Sequence, residues 1–117
     1  VCVDRHDNIV VCDSDNSRVQ VFDRTGSSVL CFGSYGSNDG EFVFPFGLAV
    51  DHLDRIVVCD SYNHRLQVFD STGAHLSSFG SLGSSPGLFY NPSSLFLEPS
   101  LGRLFVSDSQ NHRLQIF

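Results

Sequence analysis

The side chains best suited to chemistry recur in one block, in which an aspartate is followed five residues later by an arginine. The three pairs are Asp13 with Arg18, Asp60 with Arg65, and Asp108 with Arg113. A carboxylate and a guanidinium that meet across a tight turn satisfy each other's hydrogen bonds and brace a hairpin. A catalytic site rarely recurs with every repeat of a chain, so we interpret these residues as structural pairs.

Two histidines occupy the same turns and raise the question of a metal site. His64 and His112 each follow an asparagine, Asn63 or Asn111, whose side chain suits turn geometry. Adjacent repeats would separate the two histidines, and the sequence places no third ligand nearby. We therefore expect no metal, no cofactor and no catalytic residue, and interpret the histidines as structural or solvated.

Composition excludes further classes of function. The 117-residue chain has seven basic side chains, all of them arginine, so Schiff-base catalysis and a phosphate-loop lysine are excluded. Thirteen acidic residues give a formal net charge of −6, which argues against nonspecific nucleic-acid binding. No apolar run approaches the roughly 18 residues of a membrane-spanning segment, so we expect no membrane partner.

The four cysteines, Cys2, Cys12, Cys31 and Cys59, show no Cys-x-x-Cys spacing. Cys12 and Cys59 occupy equivalent positions, at which the third repeat has Ser107. A small, weakly polar residue at this position indicates packing between strands. Free thiols are favoured over disulfides, and with them we expect a cytoplasmic location.

Internal repeats in the sequence indicate which strands and turns hold these residues. Residues 9–23 match residues 56–70 at 12 of 15 positions, and residues 105–117 match residues 57–69 at 9 of 13. The two offsets are 47 and 48 residues, just above the roughly 40–45 residues of a propeller blade.

Each repeat predicts short antiparallel strands and no helix, because runs of Val, Ile, Leu and Phe alternate with Gly, Asn, Asp and Ser. The strands of the second repeat are expected near residues 46–51, 55–60, 65–69 and 75–79. Residues 33–45 and 80–92 would be longer crossings between units. The sequence therefore predicts an all-β fold, a β-propeller of four-stranded antiparallel blades.

The chain is expected to be a single propeller segment of about two and three-quarter blades, with repeat units at about 1–44, 45–91 and 92–117. Its first and last residues fall in predicted strands, which indicates a fragment of a longer ring. The third unit would lack its outer strand, so residues 113–117 would form an unpaired edge open to self-association.

The sequence of residues 60–73, DSYNHRLQVFDSTG, resembles an NHL repeat, the Asn-His-Leu module of six-bladed propellers. Residues 45–51, PFGLAVD, resemble the opening strand of that family. The third repeat keeps the signature as NHRL at 111–114, whereas the first departs from it as NSRV at 16–19. The resemblance covers essentially the whole chain and is specific for fold, though not for function.

The resemblance implies a noncatalytic protein-interaction platform, because NHL propellers often form the partner-recognising end of larger proteins, including tripartite-motif and other RING-type ubiquitin ligases. We therefore expect a protein or peptide partner, and a role as the substrate-recognition part of a larger E3 ubiquitin ligase-like protein whose catalytic module lies outside this chain. The loops of one ring face would present the binding side chains. The expected partner-binding residues are Tyr35, Asn38, Asp39, Tyr62, Asn63, His64, Gln110, Asn111 and His112.

Binding of single-stranded RNA is the first alternative, since some tripartite-motif NHL propellers perform it. Tyr35, Tyr62 and His64 provide stacking groups. The arginines free of the repeated pairing fall mostly on the opposite loops, so neutralisation of phosphates would be weak. They are Arg5, Arg24, Arg55 and Arg103.

A zinc-dependent lyase-like enzyme is the second alternative, since one NHL-like group holds zinc through histidines that line the central channel. The predicted channel strands, residues 48–50 and 94–97, contain no His, Asp or Glu. Zinc catalysis therefore lacks its ligands.

Overall fold

The computed structural model describes residues 1–117 as three antiparallel sheets packed side by side. The strands are β1 (Cys2–Val3), β2 (Ile9–Asp13), β3 (Arg18–Phe22), β4 (Ser28–Phe32), β5 (Pro45–Val50), β6 (Ile56–Asp60), β7 (Arg65–Phe69), β8 (His75–Phe79), β9 (Pro92–Glu98), β10 (Arg103–Asp108) and β11 (Arg113–Ile116). Blade 1 contains β1 to β4, blade 2 contains β5 to β8, and blade 3 contains β9 to β11. These sheets of four, four and three strands confirm the predicted all-β architecture. The domain boundaries themselves stay a prediction.

The strand bounds follow the sequence pattern closely. The strands expected at 46–51 and 55–60 are Pro45–Val50 and Ile56–Asp60, and the other two strands of that repeat lie where they were expected. Each turn between the second and third strands of a blade is a single 3-10 turn. These turns are Ser14–Asn16, Ser61–Asn63 and Ser109–Asn111.

The apolar core lies in the two seams between neighbouring blades. Successive residues of β6 alternate between the seams: Ile56 and Val58 face blade 1, whereas Val57 and Cys59 face blade 3. Every residue of β6 is buried, because blade 2 is covered on both sides. This burial on both faces explains why the strand is a continuous apolar run.

The loops divide between two ends of the blades. The end that we call the crossover face carries the 3-10 turns and the crossings 33–44 and 80–91. A 3-10 turn bonds to the crossing before it, as when Tyr62 N–H donates to Val43 O at 3.1 Å. The opposite end, the hairpin face, carries the tight turns after β1, β3, β5, β7 and β9. Each of these turns opens with an acidic residue whose carboxylate accepts two or more backbone N–H groups: Asp4, Asp23, Asp51, Asp70 and Glu98. The helical segments are 3-10 turns of three residues each, and none of them could span a membrane.

Candidate partner-binding surface

The Asp60 carboxylate is the centre of a buried network beneath the crossover face. Its Oδ2 accepts hydrogen bonds from Arg65 Nε at 2.7 Å, Asn63 Nδ2 at 2.9 Å and Gln67 Nε2 at 3.0 Å. Its Oδ1 accepts the backbone N–H of Val43, in the crossing, at 2.8 Å. A carboxylate with four donors is stable without solvent, so this network fastens the 3-10 turn, β7 and the crossing together.

The third repeat builds the same network around Asp108. Its carboxylate accepts from Arg113 Nε at 2.7 Å, Asn111 Nδ2 at 2.9 Å and Gln115 Nε2 at 3.1 Å. Burial would raise the pKa of Asp108, but the Tyr90 N–H, Asn111 and Arg113 together hold that pKa below its ordinary value. The carboxylate therefore stays ionised and paired at neutral pH.

The first repeat pairs Asp13 with Arg18 at 2.7 Å, but no crossing donates a backbone N–H to this carboxylate. Its side chain is 23% exposed, whereas those of Asp60 and Asp108 are fully buried. All three aspartate–arginine pairs are thus present, and in two of them a crossing buries the aspartate and donates a backbone N–H to it.

Several residues expected to face a partner are instead bonded within the scaffold. The side-chain amides of Asn63 and Asn111 also donate to the carbonyl oxygens of Gly36 and Gly83, at 2.9 and 2.8 Å. His64 Nδ1 accepts the backbone N–H of Asn91 at 3.2 Å, which holds the imidazole against the second crossing. The remaining predicted residues are exposed on the crossover face: Tyr35, Asn38, Asp39, Tyr62, Gln110 and His112.

Three stacked aromatic rings stand on this face, and we call them the aromatic ladder: Phe46, Phe44 and Tyr62. The Phe44 ring lies 6.2 Å from that of Phe46 and 5.3 Å from that of Tyr62, with interplanar angles of 15° and 23°. Phe46 is 57% exposed and Tyr62 56% exposed. Large aromatic rings held in a fixed stack at the surface are typical of binding sites.

The central ring of the ladder is held by a strained backbone. Phe44 has φ of 55°, in the left-handed region that bulky residues rarely adopt. Such a conformation costs on the order of 1–3 kcal/mol and persists only where the surroundings enforce it. Here the neighbouring Val43 is fixed from both sides, since its N–H donates to Asp60 and its carbonyl accepts from Tyr62.

The ladder belongs to the second repeat alone. The equivalent positions of the third repeat are Asn91, Ser93 and Gln110. Asn91 has the same left-handed backbone, with φ of 51°, but asparagine tolerates it. In the first repeat Asp15 occupies the position of Tyr62. The fold therefore does not require aromatic rings at these positions.

Tyr62 was among the residues predicted from the sequence to bind a partner, whereas Phe44 and Phe46 were not. A signal was present, because these two residues break the repeat when it is aligned at an offset of 47 residues. What the sequence lacked was the left-handed turn that brings Phe44 between the other two rings.

Comparison with known proteins decides the family. A family model described as the NHL repeat matches residues 1–22, 42–69 and 89–117, which together are most of the chain. The chain belongs to the NHL-repeat family. The resemblance drawn from the turn signature is thereby confirmed, and the three matched ranges fall one in each blade.

Related proteins are much longer than this NHL chain. Protein brain tumor of Drosophila melanogaster is 36% identical over 50 residues, which is 43% of the chain and 5% of that protein. A structural genomics protein of unknown function from Bacteroides thetaiotaomicron superposes with a TM-score of 0.81 at 17% identity, over 94% of this chain and 32% of that one. A streptogramin B lyase structure superposes with a TM-score of 0.73 at 14% identity, over 99% of this chain and 38% of the other. At these identities the solved structures show the fold alone, and the NHL chain spans less than two fifths of either one.

Burial lowers the reactivity of two thiols of the NHL chain. All four cysteines are unpaired, and burial raises the pKa of Cys12 to about 12. Burial likewise raises the pKa of Cys59, so both thiols stay protonated near neutral pH. The inner strands β1, β5 and β9 line a cavity of about 300 Å³ with apolar residues only. No three His, Cys, Asp or Glu side chains are placed to share a metal ion.

Proposed function

We propose that this NHL segment is a noncatalytic protein-interaction platform, and that its crossover face binds a peptide segment of a partner protein against the aromatic ladder. The observation that carries the proposal is the ladder itself. Its outer rings, Phe46 and Tyr62, are more than half exposed, and the half-buried Phe44 stacked between them has a left-handed backbone at which the third repeat has asparagine. Rigid aromatic side chains supply contact area with little loss of conformational entropy on binding.

The charges of the same face favour a peptide over RNA. Arg18, Arg65 and Arg113 are each paired with an aspartate at 2.7 Å, and no other arginine lies at this end of the blades. The other four arginines lie on the hairpin face: Arg5, Arg24, Arg55 and Arg103. Stacking of bases on the ladder would therefore lack the phosphate contacts that dominate affinity for nucleic acid.

Two finer expectations stay predictions. These are the role as substrate-recognition part of a larger E3 ubiquitin ligase-like protein, and the cytoplasmic location. Any ligase activity would reside in a domain outside this chain, and its partner would be the substrate that the crossover face selects.

The test is a selection of peptides from a random display library on the chain, with a matched variant as counter-selection. The variant carries Phe44→Asn, Phe46→Ser and Tyr62→Gln, the residues of the third repeat. Selected peptides should bind the variant about 30-fold or more weakly, as expected when central aromatic contacts are lost. They should also change tyrosine fluorescence, because Tyr35, Tyr62 and Tyr90 all lie on the crossover face and the chain has no Trp.

Equal recovery of peptides on the chain and on the variant would contradict the proposal. Binding of a single-stranded RNA oligonucleotide, with affinity that falls steeply as salt is added, would favour the RNA alternative instead.

A further inference from the structure

A second cavity lies on the hairpin face, in the seam between blades 1 and 2. It has a volume of about 530 Å³, within the roughly 300–1,000 Å³ of ligand pockets. Aliphatic side chains from both blades, among them Val21, Leu30 and Ile56, form its walls. Its polar lining comes from the first turn of blade 1, the first turn of blade 2 with Asp54, and the last turn of blade 2. The polar residues are Asp4, Arg5, His6, Asn8, Asp54, Ser71 and Thr72.

Asp54 is buried in this pocket with half of its carboxylate unsatisfied. The residue is 7% exposed, and its Oδ2 lies 2.5 Å from Arg5 Nε and 3.3 Å from His6 Nε2. Its Oδ1 is buried and has no hydrogen-bond donor. A buried carboxylate oxygen without a donor is unfavourable, which indicates that a group from outside the chain completes it.

The two side chains that contact the Asp54 carboxylate are themselves largely exposed. Arg5 and His6 are 61% and 63% exposed, so neither is held in place by packing. The contact of His6 Nε2 with Asp54 Oδ2, at 3.3 Å, is longer than that of Arg5 Nε. Packing does not oppose movement of either side chain toward solvent, and Asp54 itself lines the cavity.

The repeat does not dictate this arrangement. At the seam between blades 2 and 3, Gly102 replaces Asp54, and His52 and Leu53 replace Arg5 and His6. The cavity at that seam is about 210 Å³. In blade 1 the position of Asp54 is taken by Asp7, which is exposed and pairs with Arg24 at 3.3 Å. The buried, half-satisfied carboxylate therefore exists at one seam only.

The polar groups present a matched donor and acceptor pair to a ligand. Oδ1 of Asp54 requires an N–H or O–H donor, and the two terminal nitrogens of Arg5, which form no salt bridge within the chain, can donate to an acceptor. A peptide bond supplies both groups side by side. The aliphatic walls complement one bulky apolar side chain next to that bond.

We propose that this seam pocket binds a peptide segment that buries one bulky aliphatic side chain between blades 1 and 2. The backbone N–H of that residue donates to Asp54 Oδ1, and a neighbouring carbonyl accepts from Arg5. The site is at the opposite end of the blades from the aromatic ladder. A negative result at one of the two sites therefore leaves the proposal for the other site unchanged.

The experiment is a titration of the chain with N-acetyl-leucine N-methylamide, followed by backbone amide NMR shifts. The probe has one aliphatic side chain between two amides, and a ligand of this size is expected to bind with Kd on the order of 1 mM. The shifts should saturate and should be confined to the seam, at Leu30, Asp54, Ile56 and their neighbours. N-acetyl-glycine N-methylamide, which lacks the side chain, should bind at least about tenfold more weakly.

Two variants taken from the other seam provide matched controls. Asp54→Gly introduces the residue found at Gly102 and suits the left-handed backbone, where φ is 58°, so the fold is retained. It should weaken binding about tenfold or more, because the only buried acceptor is lost. Leu30→Ser introduces the residue found at Ser77 and should also weaken binding, because the pocket wall loses an aliphatic side chain.

Equal affinity of the chain and Asp54→Gly would overturn the proposal. So would saturable shifts at the aromatic ladder with none at the seam, or an absence of shifts at probe concentrations well above 1 mM. Loss of binding in both variants, with the dispersed spectrum of a folded chain, would support it.

Discussion

The second and third repeats share one scaffold and differ at the surface that it holds. Both bury an aspartate at the end of the second strand and pair it with an arginine, an asparagine and a glutamine at nearly the same distances. Above that network, the second repeat presents the aromatic ladder, whereas the third presents Asn91, Ser93 and Gln110. The periodic residues therefore account for the fold, and function has to be sought where the period is broken.

The hairpin face also has a repeat position whose surroundings differ between two blades. Asp7 and Asp54 occupy equivalent positions with the same left-handed backbone, at φ of 63° and 58°. Asp7 faces solvent, whereas Asp54 is buried against the first turn of blade 1. One repeat position thus serves as an exposed turn residue in one blade and as a pocket residue in the next.

The largest effect on the free energy of unfolding is expected from Asp60→Ala. It leaves Arg65 and Gln67 without their carboxylate inside the protein, which costs about 3–5 kcal/mol for a buried pair. Asp13→Ala is the matched control and should cost much less, because Asp13 is part-exposed and no crossing donates to it. Urea denaturation of both variants measures the difference. Equal losses would mean that the crossing adds nothing to the network.

The sequence predicted this scaffold well, because its causes are local and periodic. Alternating apolar residues and Asp or Gly turns determined the strands of the second repeat to within one residue. The spacing of five residues between Asp60 and Arg65 was sufficient to predict their pairing, since the turn between them brings the two side chains together. The fourth donor, the backbone N–H of Val43, was not predictable because it comes from the preceding crossing.

The candidate sites were predicted less well, because they depend on contacts between segments far apart in the chain. Tyr62 stacks on Phe44 only because the crossing folds back over the 3-10 turn. Burial of Asp54 depends on Arg5, 49 residues earlier in the chain. His64, which the sequence placed on the loop face and which we interpreted as structural or solvated, accepts the N–H of Asn91 from the next crossing.

A smaller loss is expected where the inner strands of blades 2 and 3 meet. A Cβ atom added to Gly47 would lie 2.6 Å from the carbonyl oxygen of Ser93 and 2.7 Å from Cα of Ser94. Both are backbone atoms that cannot turn away, so Gly47→Ala should destabilise the chain by about 1–3 kcal/mol. Ser94→Ala, at the equivalent position of the third repeat, is the control and should be close to neutral. A neutral Gly47→Ala in thermal unfolding would contradict the close approach of β5 and β9.

Acid should weaken the fold gradually, through carboxylates at both ends of the blades. Hydrogen bonds from Thr72 and Ala74 lower the pKa of Asp70, and that of Asp108 is lowered despite its burial. Because both pKa values are lower in the folded chain than the reference value of 3.8, the stabilisation is present above that pH and is lost as pH falls through the folded values. Unfolding in urea between about pH 5 and 2 should show this fall.

Asp108→Asn and Asp70→Asn compare the contributions of the crossover face and the hairpin face to this pH dependence. Asp108→Asn removes the titrating group of the crossover face in the third repeat and should reduce the slope of stability against pH below about pH 4. Asp70→Asn does so for a hairpin turn and should also reduce the slope. A steeper slope in either variant would contradict the lowered pKa values.

The smallest change in stability is expected from the exchange that should abolish partner binding. Phe44→Asn relieves the left-handed strain on a bulky residue, on the order of 1–3 kcal/mol, because asparagine tolerates that backbone. Phe46→Ser and Tyr62→Gln remove two stacking contacts of about 0.5–1.5 kcal/mol each, from rings that are more than half exposed. These terms oppose each other, so the triple variant should unfold within about 1 kcal/mol of the parent chain.

The reverse exchange separates strain from stacking. Asn91→Phe alone puts a bulky residue into the left-handed backbone of the third repeat without rings to stack on, and should destabilise the chain by about 1–2 kcal/mol. Urea denaturation of the two variants side by side gives both values. If the triple variant lost as much stability as Asp60→Ala, the ladder would be part of the scaffold, and its exposure would no longer indicate a site kept for a partner. A near-neutral triple variant that no longer binds selected peptides would mean that the second repeat tolerates a strained, exposed stack which its own folding does not need.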